Sequence, residues 1–184
     1  MHVMRKRRPS WIGATLVVTL TLALPCRADA PTREYQVKAA FLYNFTQFVE
    51  WPDSAFASKD SPFIVATVGD DPFSGFLEKL TADKIAADRP IRIVHFDSPD
   101  HIAYCQVLFV PASQAGSIAV ILDKVGQRPV LTVGETESFT SSGGTMRFFL
   151  EDNRMRFEIN TDAAESSGIK VSAKLMKLAR IFKK

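Results

Sequence analysis

The sequence predicts an α/β fold: a three-layer domain with a mostly parallel sheet, an antiparallel edge hairpin and helices on both faces. Three observations lead to this prediction. Apolar runs of five or six residues recur along the chain, and segments with helical periodicity separate them. Such continuous apolar strands are typical of parallel sheets, which are covered on both faces. Two alternating segments late in the chain indicate a hairpin with one solvent-facing side.

Residues 1–28 are predicted to be a secretory signal peptide. A basic end precedes a 14-residue apolar run, and small residues follow. The apolar run is shorter than the roughly 20 residues of a membrane span. Cleavage is expected after Ala28 or Ala30, which would leave residues 31–184 as a single exported domain.

Removal of the signal peptide reverses the net charge. The whole chain has 23 Lys and Arg against 20 Asp and Glu, and residues 1–28 hold five of the basic residues and no acidic one. The remaining 18 basic and 20 acidic residues give a net charge of −2. The basic isoelectric point therefore gives no indication of nucleic acid as a partner. Cys105 is the only cysteine left, and its apolar surroundings favour a buried, inert thiol.

The first element of the domain is predicted to be a core helix over residues 34–52. Its apolar face follows spacings of three and four: Val37, Phe41, Phe45 and Phe48. Pro52 is expected to end the helix because it disfavours the helical state at Trp51. The segment is too short and too polar to cross a bilayer.

Buried strands and helices are predicted to alternate after this helix. Four apolar runs predict strands at 63–68, 91–96, 106–110 and 129–133. Asp71 is expected to cap a helix whose first residue is Pro72. A further helix is predicted at 113–125, and a short helical segment near 135–139.

The pattern becomes alternating after Gly143-Gly144, which predicts a hairpin at the sheet edge with Asp152-Asn153 as its turn. Six residues are expected to face inward: Met146, Phe148, Leu150, Met155, Phe157 and Ile159. A short helix at 161–167 should follow. Ser172 is expected to cap a final helix at 173–182. The inward positions of that helix are Leu175, Leu178, Ala179 and Phe182.

Two polar segments are candidates for chemistry. The side chains that follow the second strand could ligate a metal ion: His95, Asp97, Asp100 and His101. No matching cluster exists elsewhere, so a polar loop is favoured and no metal site is predicted. Asp70 and Asp71 form a turn after the first strand, where α/β folds often bind ligands, although helix capping is the favoured role. A ligand at this turn would make the chain a periplasmic small-ligand carrier.

The outward face of the hairpin is the candidate partner-binding surface. Arg147, Phe149, Arg156 and Glu158 are predicted to point away from the core. An aromatic side chain among charged ones is typical of protein contacts. The alternative, in which the last helix covers this face, stays open. The sequence contains no nucleophile motif and gives no reason to expect an enzyme or a cofactor.

Three stretches together resemble the YfiR family of periplasmic proteins. They are EYQVKAAFLYNFTQFVEWP (34–52), VGDDPF (68–73) and RFEINTDAAESSGIKVSAKLMKLARI (156–181). The resemblance implies a non-enzymatic protein that binds the periplasmic sensor region of an inner-membrane diguanylate cyclase. Binding holds the cyclase inactive, which represses cyclic-di-GMP synthesis and biofilm formation. An outer-membrane lipoprotein can sequester such a protein. The resemblance leaves open whether this chain forms a homodimer.

The chain departs from this family in its cysteines. Some relatives have redox-responsive cysteine pairs, whereas here Ala66 stands where a partner for Cys105 would be expected. Control by a disulfide would therefore need an intermolecular bond through Cys105.

Overall fold

The computed structural model describes residues 32–183, so the predicted signal peptide lies outside the described residues. In this part of the chain, no helix combines the length and the apolar character that a membrane crossing requires. The described residues form the predicted mixed α/β architecture, with an eight-stranded sheet and a separate two-stranded one.

Helix α1 (Arg33–Phe48) ends earlier than predicted. Strand β1 (Val49–Glu50) follows it directly and pairs antiparallel with β9 (Lys170–Val171). This pairing requires an extended backbone at Val49 and Glu50, so the helix ends before the position at which Pro52 would terminate it. The helix end is therefore set by a segment more than a hundred residues away.

The buried face of α1 is rotated from the predicted one. Val37 and Phe48 are 39% and 38% exposed, which contradicts their predicted inward positions. The buried residues are Lys38, Ala39, Leu42, Phe45 and Thr46. The rotation places the Phe45 ring against the rings of Phe148 and Phe157 in the hairpin.

The main sheet has the order β10-β8-β7-β6-β5-β2-β4-β3. The pairs β7–β8 and β3–β4 are antiparallel and the others are parallel. The strand bounds are β2 (Phe63–Val68), β3 (Ile85–Ala86), β4 (Arg89–Phe96), β5 (Val107–Val110), β6 (Leu131–Gly134), β7 (Met146–Glu151), β8 (Arg154–Ile159) and β10 (Arg180–Ile181). The four predicted strands and the hairpin are thus confirmed, although β4 is not a buried strand, since Phe96 is its only buried residue.

Helices cover both faces of the sheet, as predicted. The remaining ones are α2 (Phe76–Thr81), α3 (Ile118–Val125), α4 (Thr161–Ser166) and α5 (Ala173–Leu178). The core on one face includes residues of α1, α2, α4 and α5, whereas the core on the other face includes Ile118, Ile121 and Val125 of α3. Short 3₁₀ helices lie in the connections at Asp53–Ala55, Pro99–His101 and Ala112–Ser117.

Helix α2 begins at Phe76, so the predicted start at Pro72 is wrong. Ser74 and Gly75 have φ values of +48° and +74°, which no right-handed helix contains. The Asp71 carboxylate accepts hydrogen bonds from the amides of Phe73 and Gly75. Asp71 therefore shapes a turn before the helix instead of capping it.

The segment predicted as a helix near 135–139 is a turn. It places the fully buried Phe139 ring against two glycines. A Cβ atom on Gly134 would lie 2.3 Å from Phe139 Cγ, and one on Gly144 would lie 2.2 Å from Phe139 Cε1. Both positions therefore require glycine, because a side chain at either one would occupy the space of the Phe139 ring.

The final helix stops at Leu178, four residues before its predicted end. The chain then forms β10 parallel to β8, and Phe182 N–H donates to the Ile159 carbonyl. This pairing satisfies backbone groups on the open side of β8. Leu178 is 69% exposed, so its predicted inward position is wrong, and the hairpin is not the outermost part of the sheet.

Candidate functional site

Three charged clusters are candidates for function. The first lies at the carboxyl ends of β2 and β4, where Thr67 and His95 are register partners. The Thr67 hydroxyl is hydrogen-bonded to His95 Nδ1 at 2.7 Å, and His95 Nε2 lies 2.5 Å from Glu78 Oε1 of α2. Asp71 completes this cluster. Sequence reasoning missed Glu78 because its link to His95 depends on how α2 packs on β4.

The structure does not bring together the four residues weighed as metal ligands. His95 points to Thr67 and Glu78, as described above. Asp100 lies 3.9 Å from the ammonium of Lys124 in α3. His101 Nδ1 is 3.5 Å from the Ser98 hydroxyl. Asp97 is exposed, and so is Asp70 in the predicted ligand turn.

The second cluster is a buried ion pair between α1 and the end of β6. Lys38 is 4% exposed, and its ammonium contacts the carboxylates of Glu34 and Glu135. Glu135 also accepts hydrogen bonds from the Tyr35 hydroxyl at 3.3 Å and from the Ala112 amide at 2.7 Å. Burial, with the negative charge of Glu135, raises the pKa of Tyr35 to about 12. The phenol is therefore protonated at neutral pH and donates.

A cleft of about 280 Å³ lies beside this ion pair, with Tyr35, Lys38 and Glu135 on one side and Phe148 and Leu150 on the other. Leu150 is 57% exposed here because it lies at the hairpin tip beyond the core, so its predicted inward position is wrong. In the sequence, Lys38 is predicted only as a polar residue that interrupts the apolar face of the helix. The one feature that could have indicated its burial is its position within an otherwise apolar stretch.

The third cluster is the outward face of the hairpin. The Phe149 ring packs against two guanidinium groups, with its centroid 5.2 Å from Cζ of Arg147 and 4.1 Å from Cζ of Arg180. Arg156 and Arg180 both contact the Glu151 carboxylate. Arg180 was absent from the predicted surface because it was placed in a helix.

Glu158 does not belong to the exposed surface, contrary to its predicted outward position. It is 6% exposed, and Thr140 donates to its Oε1 at 2.6 Å. Arg147 is 3.3 Å from the same oxygen. The segment that precedes the hairpin folds over this part of β8, and alternation along a strand gives no sign of such a cover. The last helix does not provide the cover.

Cys105 is buried, as its apolar context predicted. Burial raises the pKa of its thiol to about 12, so the thiolate form is scarce at neutral pH. An intermolecular disulfide through Cys105 would require local opening of the core on the α3 face of the sheet. Ala66 is buried in the same core.

The fold and these clusters define a small α/β domain with a buried ion pair and a surface of aromatic and arginine side chains. A family model described as YfiR/HmsC-like matches residues 35–180. The chain therefore belongs to the YfiR/HmsC-like family.

Among solved structures, one has a similarity to this chain that bears on the fold alone. No curated protein matches the chain. A conserved domain protein from Vibrio cholerae has a TM-score of 0.53 and 11% identity, with 80% of this chain and 60% of that chain covered. An ABC domain in complex with L-Trp from Streptococcus pneumonia has a TM-score of 0.49 and 12% identity, with 65% of this chain and 55% of that one covered. The chain thus spans less than two thirds of either structure.

Proposed function

We propose that the protein is a periplasmic negative regulator that binds the sensor region of an inner-membrane diguanylate cyclase. Bound protein would repress cyclic-di-GMP synthesis and biofilm formation, and an outer-membrane lipoprotein would release the cyclase by sequestering it. Membership of the YfiR/HmsC-like family over residues 35–180 is the observation that carries this proposal. The mechanism requires contact between proteins and no catalytic step.

Repression requires preferential binding to one state of the sensor. A regulator that binds the active and inactive conformations equally shifts nothing, however tightly it binds. A shift from 1:99 to 99:1 needs about 10⁴-fold tighter binding to the favoured state. The contact surface must therefore match the inactive sensor in detail.

The hairpin face supplies the chemistry of such a surface. Phe149 contacts the guanidinium groups of Arg147 and Arg180, and such contacts reduce the side-chain entropy that the ring would lose on binding. Aromatic and arginine side chains are enriched among the residues that dominate binding energy. A cleft of about 230 Å³ next to Phe149 is lined by Arg156 and the exposed Leu178. We propose that this face contacts the cyclase.

Phe149→Ala should weaken repression, whereas Ile85→Ala should not. Loss of a central aromatic contact costs about 2 kcal/mol, or roughly 30-fold in affinity. Ile85 is the control because it is an apolar surface side chain, 57% exposed where Phe149 is half-buried, and it lies in β3, at the opposite edge of the sheet. Cells that lack the gene would be complemented with each variant, and their cyclic-di-GMP would be measured by mass spectrometry.

The Phe149 variant should leave cyclic-di-GMP near the level of cells without the gene, and the Ile85 variant should restore the wild-type level. Both variants must accumulate in the periplasm to the wild-type amount. Equal repression by the two variants would exclude the hairpin face as the contact. Unchanged cyclic-di-GMP in cells that lack the gene would contradict the proposed function itself.

A further inference from the structure

Three ligand-type side chains from three different elements meet at the carboxyl ends of β2 and β4. Asp71 comes from the turn after β2, Glu78 from α2 and His95 from β4. One ligand atom from each lies within 4.8 Å of the other two. The carboxyl ends of strands are where open α/β sheets place ligands. We call these three residues the Asp-Glu-His cluster.

A hydrogen bond to Thr67, on the side of the ring away from Glu78, orients the imidazole of His95. The fully buried Thr67 hydroxyl is 2.7 Å from His95 Nδ1, which directs Nε2 towards Glu78. A histidine that ligates a metal usually holds its second ring nitrogen in a hydrogen bond of this kind. In this arrangement, Nε2–H donates to Glu78 Oε1 and Nδ1 accepts from the Thr67 hydroxyl. Metal binding would move the ring proton to Nδ1, which would then donate to Thr67 and leave the lone pair of Nε2 to coordinate.

No lysine or arginine side chain among residues 32–183 neutralises the two carboxylates of the cluster. Glu78 Oε2 is closed to solvent and has no hydrogen-bond partner among residues 32–183. Within the same residues, no lysine or arginine lies within 4.0 Å of the Asp71 or Glu78 carboxylate. Each Asp71 oxygen accepts one backbone amide and keeps a further lone pair. A bound cation would satisfy both carboxylates.

We propose that the Asp-Glu-His cluster binds a divalent transition-metal ion, with Zn²⁺ as its representative. One imidazole nitrogen with two carboxylate oxygens suits Zn²⁺ better than Mg²⁺ or Ca²⁺, which take oxygen ligands only. Bonds of 2.0–2.2 Å to a tetrahedral ion separate ligand atoms by about 3.3 Å. The 2.5 Å contact between His95 and Glu78 would therefore open by about 1 Å on binding.

Such an ion would join the 69–75 turn, α2 and β4, because each supplies one ligand. It would leave a fourth position for water, since the cluster offers three protein ligands. His95 and Glu78 are partly exposed, with side-chain exposures of 36% and 40%, so an ion can reach them from solvent. This site is separate from the hairpin face, and its existence does not depend on the proposed regulatory function.

The test is titration with ZnCl₂ by isothermal calorimetry, on processed protein without a histidine tag. Wild-type protein should bind one Zn²⁺ per chain in a saturable manner, and MgCl₂ should give no saturable heat. Glu78→Gln and His95→Asn should each weaken Zn²⁺ binding at least 10-fold. His101→Asn is the matched control, because His101 is exposed beside Asp100 but lies outside the cluster. Its affinity should equal that of the wild type.

Circular dichroism would verify that each variant keeps the wild-type fold, which the partial exposure of Glu78 and His95 favours. Absence of saturable Zn²⁺ binding to the wild type would overturn the proposal. Wild-type affinity for Zn²⁺ in Glu78→Gln and His95→Asn would do the same. Loss of binding in His101→Asn would assign the ion to the loop after β4 instead.

Discussion

Phe45→Ala should lower the free energy of unfolding by about 3–5 kcal/mol, the usual cost of removing a buried phenylalanine ring. Phe45 is fully buried on α1. Its ring stacks on Phe148 at 5.7 Å and meets the edge of Phe157 at 5.1 Å. The substitution leaves a cavity where the first helix meets both strands of the hairpin. A loss of this size is a large fraction of the roughly 5–15 kcal/mol that stabilises a typical domain.

Urea denaturation followed by circular dichroism would measure this loss. Phe48→Ala is the matched control, because Phe48 lies one turn further along the same helix with its side chain partly in solvent. It should cost less than about 1 kcal/mol. Similar losses in the two variants would contradict the packing of α1 described above.

Glu135→Ala should cost about 3 kcal/mol, the lower end of the range for breaking a buried ion pair. The substitution removes the acceptor of the Ala112 amide and the Tyr35 hydroxyl, and it takes one of two carboxylates from buried Lys38. Glu34 still pairs with that ammonium, which limits the loss. Thermal and urea unfolding of the variant would give the free-energy difference.

Two further variants make this prediction specific. Glu137→Ala removes an exposed carboxylate two residues away and should change stability by no more than about 0.5 kcal/mol. The double variant Lys38→Met with Glu135→Gln removes both buried charges and keeps a hydrogen-bond acceptor, so it should be more stable than Glu135→Ala. If Glu135→Ala and Glu137→Ala had the same free energy of unfolding, the ion pair between α1 and the end of β6 would not contribute to stability.

Local sequence patterns were sufficient for most of the fold. The strands and the hairpin were predicted because apolar runs and alternation are properties of neighbouring residues. The ends of α1 and α5 were predicted wrongly because β1 pairs with β9 and β10 with β8, and such pairing is a long-range property. The start of α2 was missed because Ser74 and Gly75 adopt positive φ, which the Pro72 signal conceals.

The candidate sites were less predictable for the same reason. Phe149, Arg147 and Arg156 were placed on the outward face by strand alternation alone. The cover over Glu158 comes from Thr140, which lies outside the hairpin. Lys38 and Glu135 are 97 residues apart in sequence, so neither identifies the other. The Asp-Glu-His cluster likewise depends on the packing of three elements.

If this chain acts as proposed, by binding the sensor of a diguanylate cyclase, the two proteins must form a complex that a direct binding measurement detects. The processed protein would be titrated, by calorimetry, against the purified periplasmic region of each inner-membrane diguanylate cyclase of the same organism. We expect saturable binding to one of these regions, weakened about 30-fold by Phe149→Ala and unchanged by Ile85→Ala. Absence of binding to every one of them would show that the protein does not act on a diguanylate cyclase sensor.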